Sequence, residues 1–125
     1  MPETPPKFTV SKVGQTTVVQ VAGPRLTDPV YINEFGDEIL DVLDQAKPPD
    51  LLIDLNDVEF LSSSVLGKLI RLLKRTRQIN GRLRLCSIRP SILEVFEITQ
   101  LNKVFEIYPD ASEALGADGS SARPR

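Results

Sequence analysis

Three consecutive serines, Ser62, Ser63 and Ser64, are the side chains of this sequence best placed to do chemistry. They follow the apolar run Leu51-Leu52-Ile53-Asp54-Leu55, a short turn and Phe60-Leu61. They precede Val65-Leu66-Gly67, where an amphipathic pattern begins. The spacing places a hydroxyl at the positive end of a helix dipole, on a loop beyond a buried strand, which suits a modifiable or partner-contacting group. Three chemistries are open to it. A serine can cap the helix by accepting a backbone hydrogen bond, it can act as a nucleophile, or it can accept a phosphoryl group.

Composition narrows the choice. The chain has no histidine, which removes Ser-His-Asp and Cys-His catalysis and every histidine-bearing metal site. A lysine base stays open, but Lys68 stands on the outer helix face, off the serine cluster. A single cysteine, Cys86, excludes an intrachain disulfide and any paired-thiol motif. It sits in Leu83-Arg84-Leu85-Cys86-Ser87-Ile88 and reads as a small buried hydrophobe in a strand. There is no phosphate-cradling glycine motif and no metal-ligand cluster, so neither an enzyme nor a cofactor is expected.

Charge is nearly balanced at −2, but unevenly laid out. Asp28 to Glu59 holds ten acids and one base, Lys47, whereas Lys68 to Arg84 holds seven bases and no acid. Lys68, Arg71, Lys74, Arg75 and Arg77 read as a solvated helix face that complements the dipole. No aromatic side chain interleaves with them, so a nucleic-acid partner is not expected. Those bases and the acidic stretch are alternatively complementary surfaces, for neighbours or for one another. No run approaches a membrane span, and MPETPPKF lacks the apolar core of a signal peptide, so a cytoplasmic protein is expected.

The elements that must position the serines follow from periodicity. Residues 1–6 read as a flexible lead-in, residues 7–116 as one domain, and 117–125 as a disordered tail. Phe8–Val13 and Thr16–Ala22 are strands joined at Gly14-Gln15. Asp28-Pro29 opens a helix, with Asp28 as its cap, that Pro48-Pro49 stops. Leu51–Leu55 is a central buried strand, and a second helix runs from Ser62 or Ser63 to about Ile79, ending at Asn80-Gly81. Arg82–Ile88 is a strand, Pro90 to about Leu101 a helix, Val104–Tyr108 a short strand and Asp110–Leu115 a helical turn. The order implies an α/β domain with a small mixed sheet of four to five strands covered by about four helices.

The chain resembles a known family. Val19 to Leu115 is similar to a STAS domain, the family of bacterial anti-sigma factor antagonists. It is carried by Asp54-Leu55-Asn56-Asp57-Val58-Glu59-Phe60-Leu61-Ser62-Ser63-Ser64-Val65-Leu66-Gly67, by Asn80-Gly81-Arg82-Leu83-Arg84-Leu85-Cys86 and by Val95-Phe96-Glu97-Ile98-Thr99-Gln100-Leu101. The family's loop motif runs acid, serine, serine or threonine, glycine, leucine, glycine. Its acid falls on Ser62, its phospho-acceptor on Ser63, its second hydroxyl on Ser64 and its first glycine on Val65. The leucine and second glycine fall on Leu66 and Gly67, so Ser62 and Val65 are the departures.

The resemblance implies a regulatory domain that binds a kinase that is itself the anti-sigma factor, or another signalling protein. Phosphorylation of Ser63 would switch that binding off. Leu61, Ser62, Ser63 and Ser64, with Asp28 in Gly23-Pro24-Arg25-Leu26-Thr27-Asp28, are the implied contacts. The alternative within the same family is a non-phosphorylated scaffold or a transporter-associated subunit acting only as a docking surface.

Overall fold

Strand β4 (Asp50–Asp54) lies at the centre of the sheet because it is apolar toward both faces: Leu51, Leu52 and Ile53 are all fully buried. A computed structural model describes residues 8–21, 25–26 and 29–116. Around β4 the sheet runs β1 (Phe8–Val13), β2 (Thr16–Val21), β4, β6 (Arg82–Cys86) and β7 (Glu106–Tyr108). Strands β1 and β2 form an antiparallel hairpin, and every other pairing is parallel. The hairpin turn rests on Gly14, whose φ of +61° only glycine adopts without steric cost.

Parallel pairing requires crossovers, which the helices supply. α1 (Pro29–Gln45) joins the β2 side to β4, and α2 (Ser63–Gln78) joins β4 to β6. α3 (Pro90–Ile98) and a 3₁₀ turn at Leu101–Lys103 lead to β7, after which α4 (Ala111–Gly116) closes the described chain. Val19, Ile53 and Leu85 stand side by side in register. They form one core with Phe35, Ile39 and Leu43 of α1, Val65, Leu69 and Leu72 of α2, and Phe96 of α3. Each such side chain contributes roughly 1.5–3 kcal/mol when fully buried. The opposite face carries a smaller cluster, Leu52, Cys86 and Ala114, under α4.

The expected elements are present with small shifts at their ends. β6 stops at Cys86, short of Ile88, because Ser87 turns to φ +62°. α3 stops at Ile98 rather than near Leu101: Gln100 adopts φ +64°, and the Thr99 hydroxyl donates to the Val95 carbonyl at 2.7 Å. β7 begins at Glu106, two residues later than expected. At the end of α2 the left-handed residue is Asn80, φ +57°. Asn80 N–H donates to the Arg77 carbonyl at 3.3 Å and Gly81 N–H to the Thr76 carbonyl at 2.8 Å, a Schellman closure.

Two features were not anticipated. A second ladder, β3 (Arg25–Leu26) with β5 (Phe60–Leu61), lies outside the main sheet. And Arg84, read from sequence as one of a basic run, is fully buried in β6. It donates to Asp50 at 2.7 Å, to the Thr16 hydroxyl at 3.1 Å and to the Ala114 carbonyl, which ties α4 to the sheet. The acidic and basic segments meet each other in part. Asp44 of α1 pairs with Arg75 of α2 at 2.9 Å, and the Lys68 stem lies across Gly36, where a Cβ would sit 2.7 Å from its Cδ.

Candidate functional site

The loop that carries the serines is built to be stiff. Leu55 N–H donates to the Cys86 carbonyl at 3.0 Å, extending the β4–β6 ladder by one residue. Asp54 then accepts the Asn56 N–H at 2.9 Å, an Asx turn, and Val58 N–H closes back on the Leu55 carbonyl at 3.0 Å. Leu55, Val58 and Leu61 sink into the core. Their three-residue spacing leaves Asn56, Asp57, Glu59 and Phe60 exposed between them.

Ser62 is the N-cap of α2: its φ and ψ are −84° and 166°, and its hydroxyl accepts the Val65 N–H at 3.3 Å. Serine and aspartate rank together as caps, so this position keeps the helix-starting role of the family's acid with a neutral group. Ser63 and Ser64, the first two helical residues, are exposed. No acid stands in the first turn of this 16-residue helix, so the dipole's positive end is not neutralised there. Gly67, one turn beyond Ser63, has open space where a Cβ would be. Val65, the other departure from the family motif, is 1% exposed. Its side chain fills core and adds no bulk to the surface beside Ser63.

The structure brings the two segments singled out in the sequence side by side. In the β3–β5 ladder Arg25 is opposite Phe60 and Leu26 opposite Leu61, so the chain just before Asp28 runs beside the serine loop. Asp28 itself lies outside the described residues. Leu61, expected among the contacts, is 8% exposed: its side chain belongs to the core and supports the loop. The outward residue of that pair is Phe60, 46% exposed, which sequence reasoning passed over although strand alternation next to a buried Leu61 marks it.

The remaining chemistry is sparse. The Cys86 thiol is buried, and its loss of solvation pushes its pKa up to about 11. Among the described residues no group of three or more His, Cys, Asp or Glu could hold a metal ion, and no helix is long and apolar enough to cross a membrane. Lys68 lies against α1, off the serines. An open groove of about 440 Å³, lined by Leu43, Asp44, Pro49, Arg75 and Ile79, lies at the other end of α2.

Residues 7–114 match the family model described as the STAS domain. A candidate anti-sigma factor antagonist of Bordetella bronchiseptica, BtrV, is 33% identical over 75 residues, 60% of this chain and 64% of that protein. The aligned part of the chain thus spans a little under two thirds of that relative. The solved anti-sigma-factor antagonist (STAS) domain protein of Planctomyces limnophilus superposes with a TM-score of 0.79 at 30% identity, covering 90% of this chain and 98% of that one. An anti-sigma factor antagonist of Mycobacterium paratuberculosis gives 0.76 at 30% identity, covering 88% and 91%. The chain belongs to the STAS domain family and has the fold of its anti-sigma factor antagonists.

Proposed function

We propose that this protein is a regulatory docking module of the anti-sigma factor antagonist type, switched by phosphorylation of Ser63. The unmodified protein binds a partner kinase or anti-sigma factor through the β3–β5 ladder, Phe60 and the first turn of α2. The observation that carries this reading is an exposed Ser63 hydroxyl at the first position of α2, on a loop pinned by Leu55, Val58 and Leu61. The Bacillus protein SpoIIAA, whose likeness at 20% identity is one of fold alone, has been solved in unphosphorylated and phosphorylated forms.

The physics of the switch is a difference between two environments. A phosphoserine carries about −1.5 to −2 charges at neutral pH. In the free protein that charge faces the N-terminus of α2 and is favoured by roughly 0.3–1 kcal/mol, so the domain stays folded. In a docked interface the same group must shed water beside Asp57 and Glu59, both exposed on the approach loop. Loss of about 3 kcal/mol there weakens binding roughly 100-fold. The partner is released while the scaffold is unchanged.

Incubation with ATP and the partner kinase, followed by intact mass and peptide mapping, tests the assignment. One phosphate on the wild type and on Ser64→Ala, and none on Ser63→Ala, is the expected result. Modification of Ser64 alone would overturn the choice of residue. A wild type that stays unmodified while still binding its partner would favour the second reading, a non-phosphorylated scaffold or transporter-associated subunit, for which the neutral Ser62 in place of the family's acid is the motivating observation.

A further inference from the structure

We propose that two copies of this chain associate edge to edge through β1, joining their sheets antiparallel about a two-fold axis at Val10. β1 is an edge of the main sheet and, among the described residues, pairs only with β2. It is six residues long, against three for β7 at the other edge. Edge strands are usually protected by proline, a bulge, shortness or an outward charge. β1 has no proline, and its pairing with β2 runs unbroken from Phe8↔Val21 to Val13↔Thr16. Its one charge, Lys12, is folded back, with Nζ donating to the Lys47 carbonyl at 3.2 Å. Val10 and Val13 are left 49% and 47% exposed.

The register identifies the occupant. A two-residue turn makes Val13↔Thr16 a hydrogen-bonded pair, so Val13, Ser11 and Thr9 spend their backbone groups on β2. The N–H and C=O of Phe8, Val10 and Lys12 therefore point away from the sheet. A second copy paired with Val10 opposite Val10 sets Phe8 against Lys12 and Thr9 against Ser11, and completes about six ladder hydrogen bonds. Shifting the axis to Thr9 or Ser11 keeps about four, and centring it on Lys12 opposes two like charges.

Charge along the flanking groove agrees with that two-fold. Phe8 meets Phe35 at 6.0 Å and Lys12 reaches Lys47, so β1 and α1 run in the same direction. Val10, Lys12, Val42 and Lys47 line the groove between them. Lys12 and Lys47 stand at one end. Glu38, one turn before Val42, and Glu34 stand toward the other, both exposed. An antiparallel partner brings the basic end of each copy to the acidic end of the other. The strand used lies outside the serine loop, so this inference is independent of the Ser63 reading.

Sedimentation equilibrium of the full chain up to millimolar concentration tests it, with Val10→Pro as the first variant. Proline at 10 removes an outward N–H and leaves the β2 ladder intact, so the far-UV circular dichroism should be unchanged. Wild type is expected at twice the 13.9 kDa chain mass and Val10→Pro at that mass alone. As a second variant, Val10→Cys should form an interchain disulfide on oxidation, since residue 10 faces its own copy. Val13→Cys, about 20 Å from its copy in this register, should not. A wild type that stays monomeric, or a dimer that survives Val10→Pro with no cross-link through Val10→Cys, would overturn the proposal.

Discussion

Replacing Asp50 by alanine should destabilise the protein far more than its half-exposed neighbours would lead one to expect. Arg84 has no exposed side-chain surface, while Asp50 retains 14%. Asp50 accepts from Arg84 at 2.7 Å and from the Thr16 hydroxyl at 3.2 Å, and among the described residues Arg84 Nε has no partner. An arginine cannot shed its charge, so Asp50→Ala seals a cation in the sheet with only neutral acceptors, at a cost of about 3–5 kcal/mol. Arg84→Met removes the buried charge with a similar stem. Asp50 can then hydrate through its exposed edge, and the loss is about 1–3 kcal/mol, chiefly from the bond to the Ala114 carbonyl. Urea unfolding followed by circular dichroism reads both variants, and the double variant should fall near Arg84→Met alone. Asp50→Ala as stable as Arg84→Met would refute the claim that an uncompensated arginine dominates this face.

Other expectations concern single groups. Ser62→Ala should lose about 1 kcal/mol of unfolding free energy, and Ser62→Asp should be near wild type, since both native and introduced oxygens can cap Val65 N–H. Gly81→Ala should cost about 1–3 kcal/mol in a denaturant melt, because its Cβ would strike the Pro49 carbonyl that accepts the Arg82 N–H. The Cys86 thiol is held neutral in the folded state, with its pKa up from 9.0 to about 11, so the unfolded chain ionises first as pH rises. Its contribution to stability is full below pH 9 and is lost between 9 and 11; Cys86→Ala should flatten the pH–stability curve in that window.

Much of this architecture was legible because local signals and burial agreed. Gly14-Gln15, Pro29, Asn80-Gly81 and Pro90 punctuate the chain where elements begin or end, and the stripe Val65-Leu66-Leu69-Leu72-Leu73 gave α2 its face. The exposed serine junction followed from those two facts. The β3–β5 ladder was not legible, because two residues on each side carry no period, and only the parallel pairing shows that the two candidate segments touch. Arg84 was misread for a physical reason: a count of charges takes no account of a strand covered on both faces, where a base survives by finding Asp50, Thr16 and the end of α4. Leu61 was expected among the contacts, whereas the two-residue alternation of the strand turns its side chain inward and Phe60 outward.

The most direct test of the central claim compares the affinity of the partner kinase or anti-sigma factor for this protein before and after stoichiometric phosphorylation of Ser63, by titration calorimetry at fixed salt. A loss of about 100-fold, with an unchanged circular dichroism spectrum, is the predicted result. Equal affinity of the two forms would contradict it.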